Sequence, residues 1–173
     1  VFACRKWLLA RGVDIPLVVP KRDSATENIW LDSVAAVARE HDIPAITPDD
    51  ANLPATLDAV AREHPDFLFS FYYRQMIGPR LLASASRGAL NMHGSLLPKY
   101  RGRAPVNWAV IKGERETGAT LHYMGEKPDA GHQVDPTAVP TPPDAHGRDT
   151  PAQLPGEAGD VSAARGPPRG GAQ

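Results

Sequence analysis

Asn91 and His93 stand two residues apart at the head of the stretch Asn91-Met92-His93-Gly94-Ser95-Leu96-Leu97-Pro98-Lys99-Tyr100-Arg101-Gly102-Arg103-Ala104-Pro105. The run from Gly88 to Met92 has the length and composition of a strand, and residues two apart on an extended chain project to the same side. A carboxamide and an imidazole then face one point. That pairing suits acyl transfer to an amine: as nitrogen attacks a carbonyl, the oxygen becomes negative and the nitrogen must lose a proton. Asn91 would donate to the oxyanion, a role whose loss costs about 10² to 10³ in rate. His93 would take the proton or share the oxyanion, worth about 10² to 10⁴. Downstream, Asp129-Ala130-Gly131 reads as a turn whose carboxylate would reach the imidazole, fix its tautomer and stabilise the imidazolium. No covalent nucleophile is needed, and neither Ser95 nor Cys4 has a nucleophile elbow or a base at a suitable spacing.

On spacing alone a plainer reading stands beside this one: an Asn-x-His pair at a strand end is also a structural pair, and Asp-Ala-Gly is also just a turn. His41, His64, His122, His132 and His146 read as surface or structurally satisfied histidines. Lys99, Arg101 and Arg103 place three cations in five residues, either as a solvated loop or as a seat for an anion such as a pyrophosphate.

In open α/β sheets ligands collect at the carboxyl ends of strands, so the surrounding elements decide whether these residues can meet. Strand-like and helix-like segments alternate along the chain, the pattern of a mainly parallel sheet covered by helices. Strands are expected at Ile15–Val19, Ile43–Ile46, Phe67–Phe71, Gly88–Met92, Thr117–Met124 and Gln133–Val139. A helix over Glu27–Glu40, capped by Thr26, puts Trp30, Val34 and Val37 on one face. Asn52 and Pro54 open another with Leu53, Leu57 and Val60 on one side. A third covers Pro79–Ser86, and Pro105 opens a fourth that carries Trp108 and Ile111. The fold class is α/β, Rossmann-like, without a GxGxxG or GxxxxGK[ST] phosphate loop.

At 173 residues the chain has room for one domain of ordinary size. Its net charge of −1, from 19 basic and 20 acidic residues, gives no reason to expect a nucleic-acid partner. The lone Cys4 forms no internal disulfide and builds no multi-thiolate metal site, so no metal is expected and a reducing, cytoplasmic setting is. Apolar runs are strand-sized, far short of the roughly 20 residues of a membrane span. All 11 aromatic residues precede position 124, whereas residues 140–173 hold 7 of 18 prolines and 6 of 15 glycines. A catalytic domain over 1–139 is therefore expected, followed by a tail at 140–173 that is either a natural disordered extension or an out-of-frame translation. The chain opens at Val1, so a missing or processed start is also expected.

Asn91 through Pro98, followed by Tyr100-Arg101-Gly102 and Ala104-Pro105, resembles the signature of the folate-dependent formyltransferases. That family includes methionyl-tRNA formyltransferase, glycinamide ribonucleotide formyltransferase, formyltetrahydrofolate hydrolase and sugar-nucleotide N-formyltransferases. The resemblance implies a Rossmann-like catalytic domain, 10-formyltetrahydrofolate as donor and a primary amine as acceptor. It places the family's Asn, His and Asp on Asn91, His93 and Asp129. Phe69-Ser70-Phe71-Tyr72-Tyr73-Arg74, Gly94, and Lys99 to Arg103 with Asn107-Trp108 resemble one branch in particular. That branch is the formyltransferase domain of a bifunctional enzyme, fused to a decarboxylase, that formylates UDP-4-amino-4-deoxy-L-arabinose in lipid A modification and polymyxin resistance. A tRNA formyltransferase more usually carries Pro at Gly94 and Ala at Arg103.

By the same resemblance Gln75, Met76 and Ile77 line the pterin pocket, Gly125, Glu126, Lys127 and Pro128 form its other wall, and Arg103 contacts the folate. Ser95, Lys99 and Arg101 are the candidate contacts to the amino-sugar nucleotide. The resemblance covers about residues 13–139. Before it, Cys4-Arg5-Lys6 stands where the family has a loop into its first helix, so a shortened first strand and helix are expected. Beyond Pro140 neither the family's long covering helix nor its smaller C-terminal domain reads in the tail. The expectation for the chain is thus a formyltransferase with weak or no activity, and the reading of another class is an inactive folate-binding fragment of a degraded gene.

Overall fold

A computed structural model describes residues 12–20, 34–71, 73 and 75–141. In chain order the elements are α1 (Val34–Glu40), α2 (Pro54–Arg62), β1 (Leu68–Phe71), α3 (Pro79–Leu82), β2 (Ala89–His93), α4 (Pro105–Ile111), β3 (Glu116–Tyr123) and β4 (Gln133–Pro140). The strands form one sheet in the order β1-β2-β3-β4. β1 runs parallel to β2, while β2 with β3 and β3 with β4 are antiparallel. The α/β, Rossmann-like architecture stands, with a mixed rather than a mainly parallel sheet among the described residues.

The two sheet faces follow from the alternation of side chains along each strand. Leu90, Met92, Ala119 and Leu121 point to one face, where Val106 of α4 and Val139 of β4 complete a buried cluster edged by Phe69, Phe71 and Tyr123. Ser70, His93, Thr120 and His122 are buried on the other face, together with the half-buried Asn91. A second cluster of Ala51, Val60 and Leu81 gathers Leu57, Leu68 and Ile77 beside α2 and α3.

Several local expectations shift for identifiable reasons. Ile15–Val19 and Ile43–Ile46 meet only through a single parallel bridge, Val18 to Ala45, held by Val18 N–H to the Pro44 carbonyl at 2.9 Å and Ile46 N–H to the Val18 carbonyl at 3.0 Å. Pro16, Pro20, Pro44 and Pro48 remove the donors that a longer ladder needs. Helix α2 starts at Pro54 as expected, but Leu53 is its N-cap at φ −62°, ψ 143° and is 46% exposed. The buried stripe is Thr56 and Val60 instead. Helix α3 ends at Leu82 because Ser86 N–H and Arg87 N–H bond the Pro65 and Asp66 carbonyls, not the preceding turn. On α4 the buried residues are Val106 and Ala109, and Trp108 and Ile111 face outward. Thr26, Trp30 and the first part of the Glu27–Glu40 helix lie outside the described residues.

Candidate active site

Strand β2 aims Asn91 and His93 away from the apolar cluster because they alternate with Leu90 and Met92. In the ladder with β3, Asn91 lies opposite His122 and His93 opposite Thr120. His93 is buried, with Nε2 2.9 Å from the Tyr100 carbonyl and Nδ1 3.6 Å from Asp129 Oδ1. Asp129 Oδ2 accepts the Gly102 N–H at 2.9 Å. The loop after β2 therefore grips both members of the pair, through Tyr100 and through Gly102. To do so it takes left-handed backbone at Tyr100, Gly102 and Ala104, with φ of 55°, 94° and 53°.

Asp129 itself sits at φ 50° in the turn between β3 and β4. Two residues on, Gly131 packs against the Tyr123 backbone so closely that a Cβ there would collide with the Tyr123 carbonyl. The strands can approach only with glycine at this position, which gives the Asp-Ala-Gly turn a physical cause. Thr120, opposite His93, donates to the Ser95 carbonyl at 2.7 Å and accepts Leu97 N–H at 3.1 Å, tying the loop to β3.

One residue enters the site that the sequence reading had set among the satisfied histidines. His122 is 1% exposed, with Nδ1 2.9 Å from the Tyr123 carbonyl. Its Nε2 lies 3.3 Å from Asn91 Nδ2 and 3.4 Å from Asp129 Oδ1. It is indeed satisfied, but by residues of the site. The signal that could have found it is strand register: once β2 and β3 pair antiparallel, His122 falls opposite Asn91. With a proton on Nε2, the hydrogen bond from His122 holds the Asp129 carboxyl below the usual carboxylate range, assisted by Gly102 N–H and by the charges of His93 and His122 when protonated. Burial pushes the other way and is outweighed.

The remaining candidates divide by place. Ser95 is buried, and its hydroxyl donates to the Lys99 carbonyl at 2.6 Å within the loop. Lys99 is exposed and pairs with Glu114 at 3.2 Å, which also accepts the Tyr100 hydroxyl at 2.8 Å. Arg101 and Arg103 are exposed on the same loop. Gln75, Met76 and Ile77 follow the carboxyl end of β1, the parallel neighbour of β2, so they stand at the sheet edge that carries His93. There Gln75 donates to the Asp49 carbonyl at 2.7 Å and accepts the Tyr73 hydroxyl at 3.0 Å. Met76 is 64% exposed while Ile77 packs on the second cluster. Asn52 clamps this segment, donating to the Met76 carbonyl at 2.9 Å and accepting Gly78 N–H at 2.6 Å. Gly125, Glu126, Lys127 and Pro128 are exposed in the connection that ends at Asp129.

Met76 offers exposed apolar surface after β1, and Arg101 and Arg103 are exposed cations on the loop after β2. A cleft of about 680 Å³ lies elsewhere, lined by Leu96 to Tyr100 and Lys112 to Thr117, and none of Asn91, His93 and Asp129 borders it. Among the described residues no group of His, Cys, Asp and Glu could hold a metal ion. No helix among them is long and apolar enough to cross a membrane.

The sequence model of the formyl transferase family matches residues 3–153. The fold is similar to phosphoribosylglycinamide formyltransferase from Bacillus halodurans, at 20% identity and a TM-score of 0.77, covering 94% of this chain and 86% of that one. It is similar to a formyltetrahydrofolate deformylase from Pseudomonas putida at 24% identity and a TM-score of 0.66, with 91% and 57% covered. A sugar N-formyltransferase from a Shewanella species matches at 16% identity and a TM-score of 0.66, with 93% and 61% covered. With most of its length matched to one family, and with that family's fold around an Asn, His and Asp cluster, the chain belongs to the formyl transferases, whose chemistry is formyl transfer from a formyl-folate.

Proposed function

We propose that this chain transfers the formyl group of 10-formyltetrahydrofolate to the 4-amino group of UDP-4-amino-4-deoxy-L-arabinose, in the cytoplasm, by direct amine attack. The observation that carries the reading is the placement of His93 between Asp129 and the Tyr100 carbonyl, with Asn91 on the same strand face. The amine nitrogen bonds to the formyl carbon, the carbonyl oxygen takes up negative charge, and the bond from that carbon to the folate N10 breaks. The amine loses a proton and N10 gains one, so atoms and charge balance without a covalent enzyme intermediate. Asn91 stabilises the oxyanion with a carboxamide N–H. The Tyr100 carbonyl takes the Nε2–H of His93, so the ring accepts the amine proton at Nδ1, and Asp129, held ionised 3.6 Å from that nitrogen, stabilises the resulting imidazolium.

Met76, Ile77 and Gln75 on one side, with Gly125, Glu126, Lys127 and Pro128 on the other, are proposed to flank the pterin, and Arg103 to meet the folate. Lys99 and Arg101 are proposed to meet the pyrophosphate of the acceptor, while Ser95 acts beneath them by holding the loop. The proposed catalytic unit is residues 1–139, with 140–173 outside it. The acceptor assignment is supported by Phe69 to Arg74, Gly94 and Arg103, the residues of the sugar-nucleotide resemblance, and the Shewanella sugar N-formyltransferase is a fold relative compatible with it.

The test offers the chain 10-formyltetrahydrofolate with UDP-4-amino-4-deoxy-L-arabinose, a second amino-sugar nucleotide, phosphoribosylglycinamide, initiator methionyl-tRNA or no acceptor, and follows formamide and formate by mass spectrometry. Formamide on the UDP-linked aminopentose is expected at a low rate, in keeping with the weak activity expected from the divergent ends of the sequence. Formamide on another acceptor reassigns the substrate, and formate without acceptor makes the chain a hydrolase. Folate binding with no product in any arm overturns the enzymatic reading in favour of a binding fragment. A tRNA acceptor would also show steep salt dependence.

A further inference from the structure

Nε2 of His122 stands between a donor, Asn91 Nδ2 at 3.3 Å, and an acceptor, Asp129 Oδ1 at 3.4 Å. It serves one of them at a time. The other ring nitrogen settles which, because a carbonyl oxygen only accepts: the 2.9 Å contact to the Tyr123 carbonyl puts the hydrogen of the neutral ring on Nδ1. Nε2 then carries a lone pair and accepts an N–H from Asn91. We infer that His122 is a positioning residue for Asn91, fixing which end of its carboxamide faces the reacting carbonyl. The inference rests on the proposed role of Asn91 as oxyanion donor.

Turned by 180°, the carboxamide would set its oxygen against that lone pair, acceptor to acceptor, beside a ring that is 1% exposed. Such an unmatched pair is disfavoured where water cannot intervene. In the orientation found, one of the two Nδ2 hydrogens is held and the other is left for the developing oxyanion. The groups that face His122 are Asn91 and His93 from β2 and Asp129 from the connection between β3 and β4. A proton added to Nε2 would transfer its hydrogen bond to Asp129 and release the carboxamide. Strand register supplies the precision: Asn91 and His122 are direct cross-strand partners, so their relative position is set by the backbone ladder.

A double-mutant cycle separates this role from a purely structural one. His122→Ala is expected to lower kcat about 10-fold in the wild-type background and less than about 2-fold when Asn91→Ala is already present, because the first change acts through the second. Losses that multiply in the two backgrounds overturn the inference and leave the oxyanion role of Asn91 intact. Full transfer rates in Asn91→Ala overturn that role itself. Should His122→Ala fail to fold, ¹⁵N NMR of the wild-type chain decides: the expected neutral form of His122 is the Nδ1–H tautomer, and an Nε2–H tautomer overturns the inference whether or not the chain turns over.

Discussion

The same two central strands build opposite sheet faces, and the faces obey different rules. On one side Leu90, Met92, Ala119 and Leu121 interlock with Val106 and Val139. Those contacts are non-directional, so volume matters and identity matters less. On the other side Asn91, His93, Thr120 and His122 are held by named atoms, each within reach of particular partners. Here a change of one atom type leaves a buried donor or acceptor unmatched, at about 1–3 kcal/mol each. The comparison teaches that one alternation of residues makes both a core and a candidate reaction site: Leu90 and Met92 of β2 stabilise the sheet, and Asn91 and His93 present the candidate chemical groups.

The largest effect should come from the polar face and appear in rate. His93→Ala is expected to reduce formyl transfer about 10³-fold, equivalent to roughly 4 kcal/mol of transition-state stabilisation, while folate still binds. Unchanged turnover would remove His93 from the mechanism. On the apolar face the loss appears in stability instead. Leu121→Ala, at a fully buried site of the main cluster, should cost about 3 kcal/mol in urea unfolding, with turnover per folded molecule little changed. If Leu121→Ala depressed kcat as deeply as His93→Ala, the division between the faces would not hold.

Much of this arrangement was legible because it depends on local patterns. Pro54, Pro79 and Pro105 each stand at the start of a helix, as their fixed φ and missing donor dictate. β2 and β3 were marked to within a residue, whereas a strand end and a turn only offered Asn91, His93 and Asp129 beside a plainer structural reading, and the family resemblance chose among them. What was not legible depends on register and on which neighbour takes a backbone donor. His122 belongs to the site only because Asn91 lies opposite it, and no spacing within β3 reveals that. The Ile15–Val19 run looked like a strand by its branched side chains, yet its prolines leave it a single bridge. Leu53 fitted the helical stripe by counting, but as the cap residue it has extended backbone and turns outward.

The smallest effect sharpens the comparison from the charge side, through Asp129. Its folded carboxyl ionises below the usual carboxylate range, first through the hydrogen bond that His122 gives it with a proton on Nε2 and then through Gly102 N–H. A depressed folded pKa means that the ionised group contributes stability above the ordinary carboxylate pKa of about 4, and that this contribution is lost as pH falls through the lowered folded value. Asp129→Asn removes the contribution at all pH values. In urea unfolding the wild type should therefore exceed Asp129→Asn near neutrality, and the two curves should converge on the acid side. A gap that stayed constant down to about pH 2 would mean that Asp129 stabilises by shape, as the apolar face does, and not by charge.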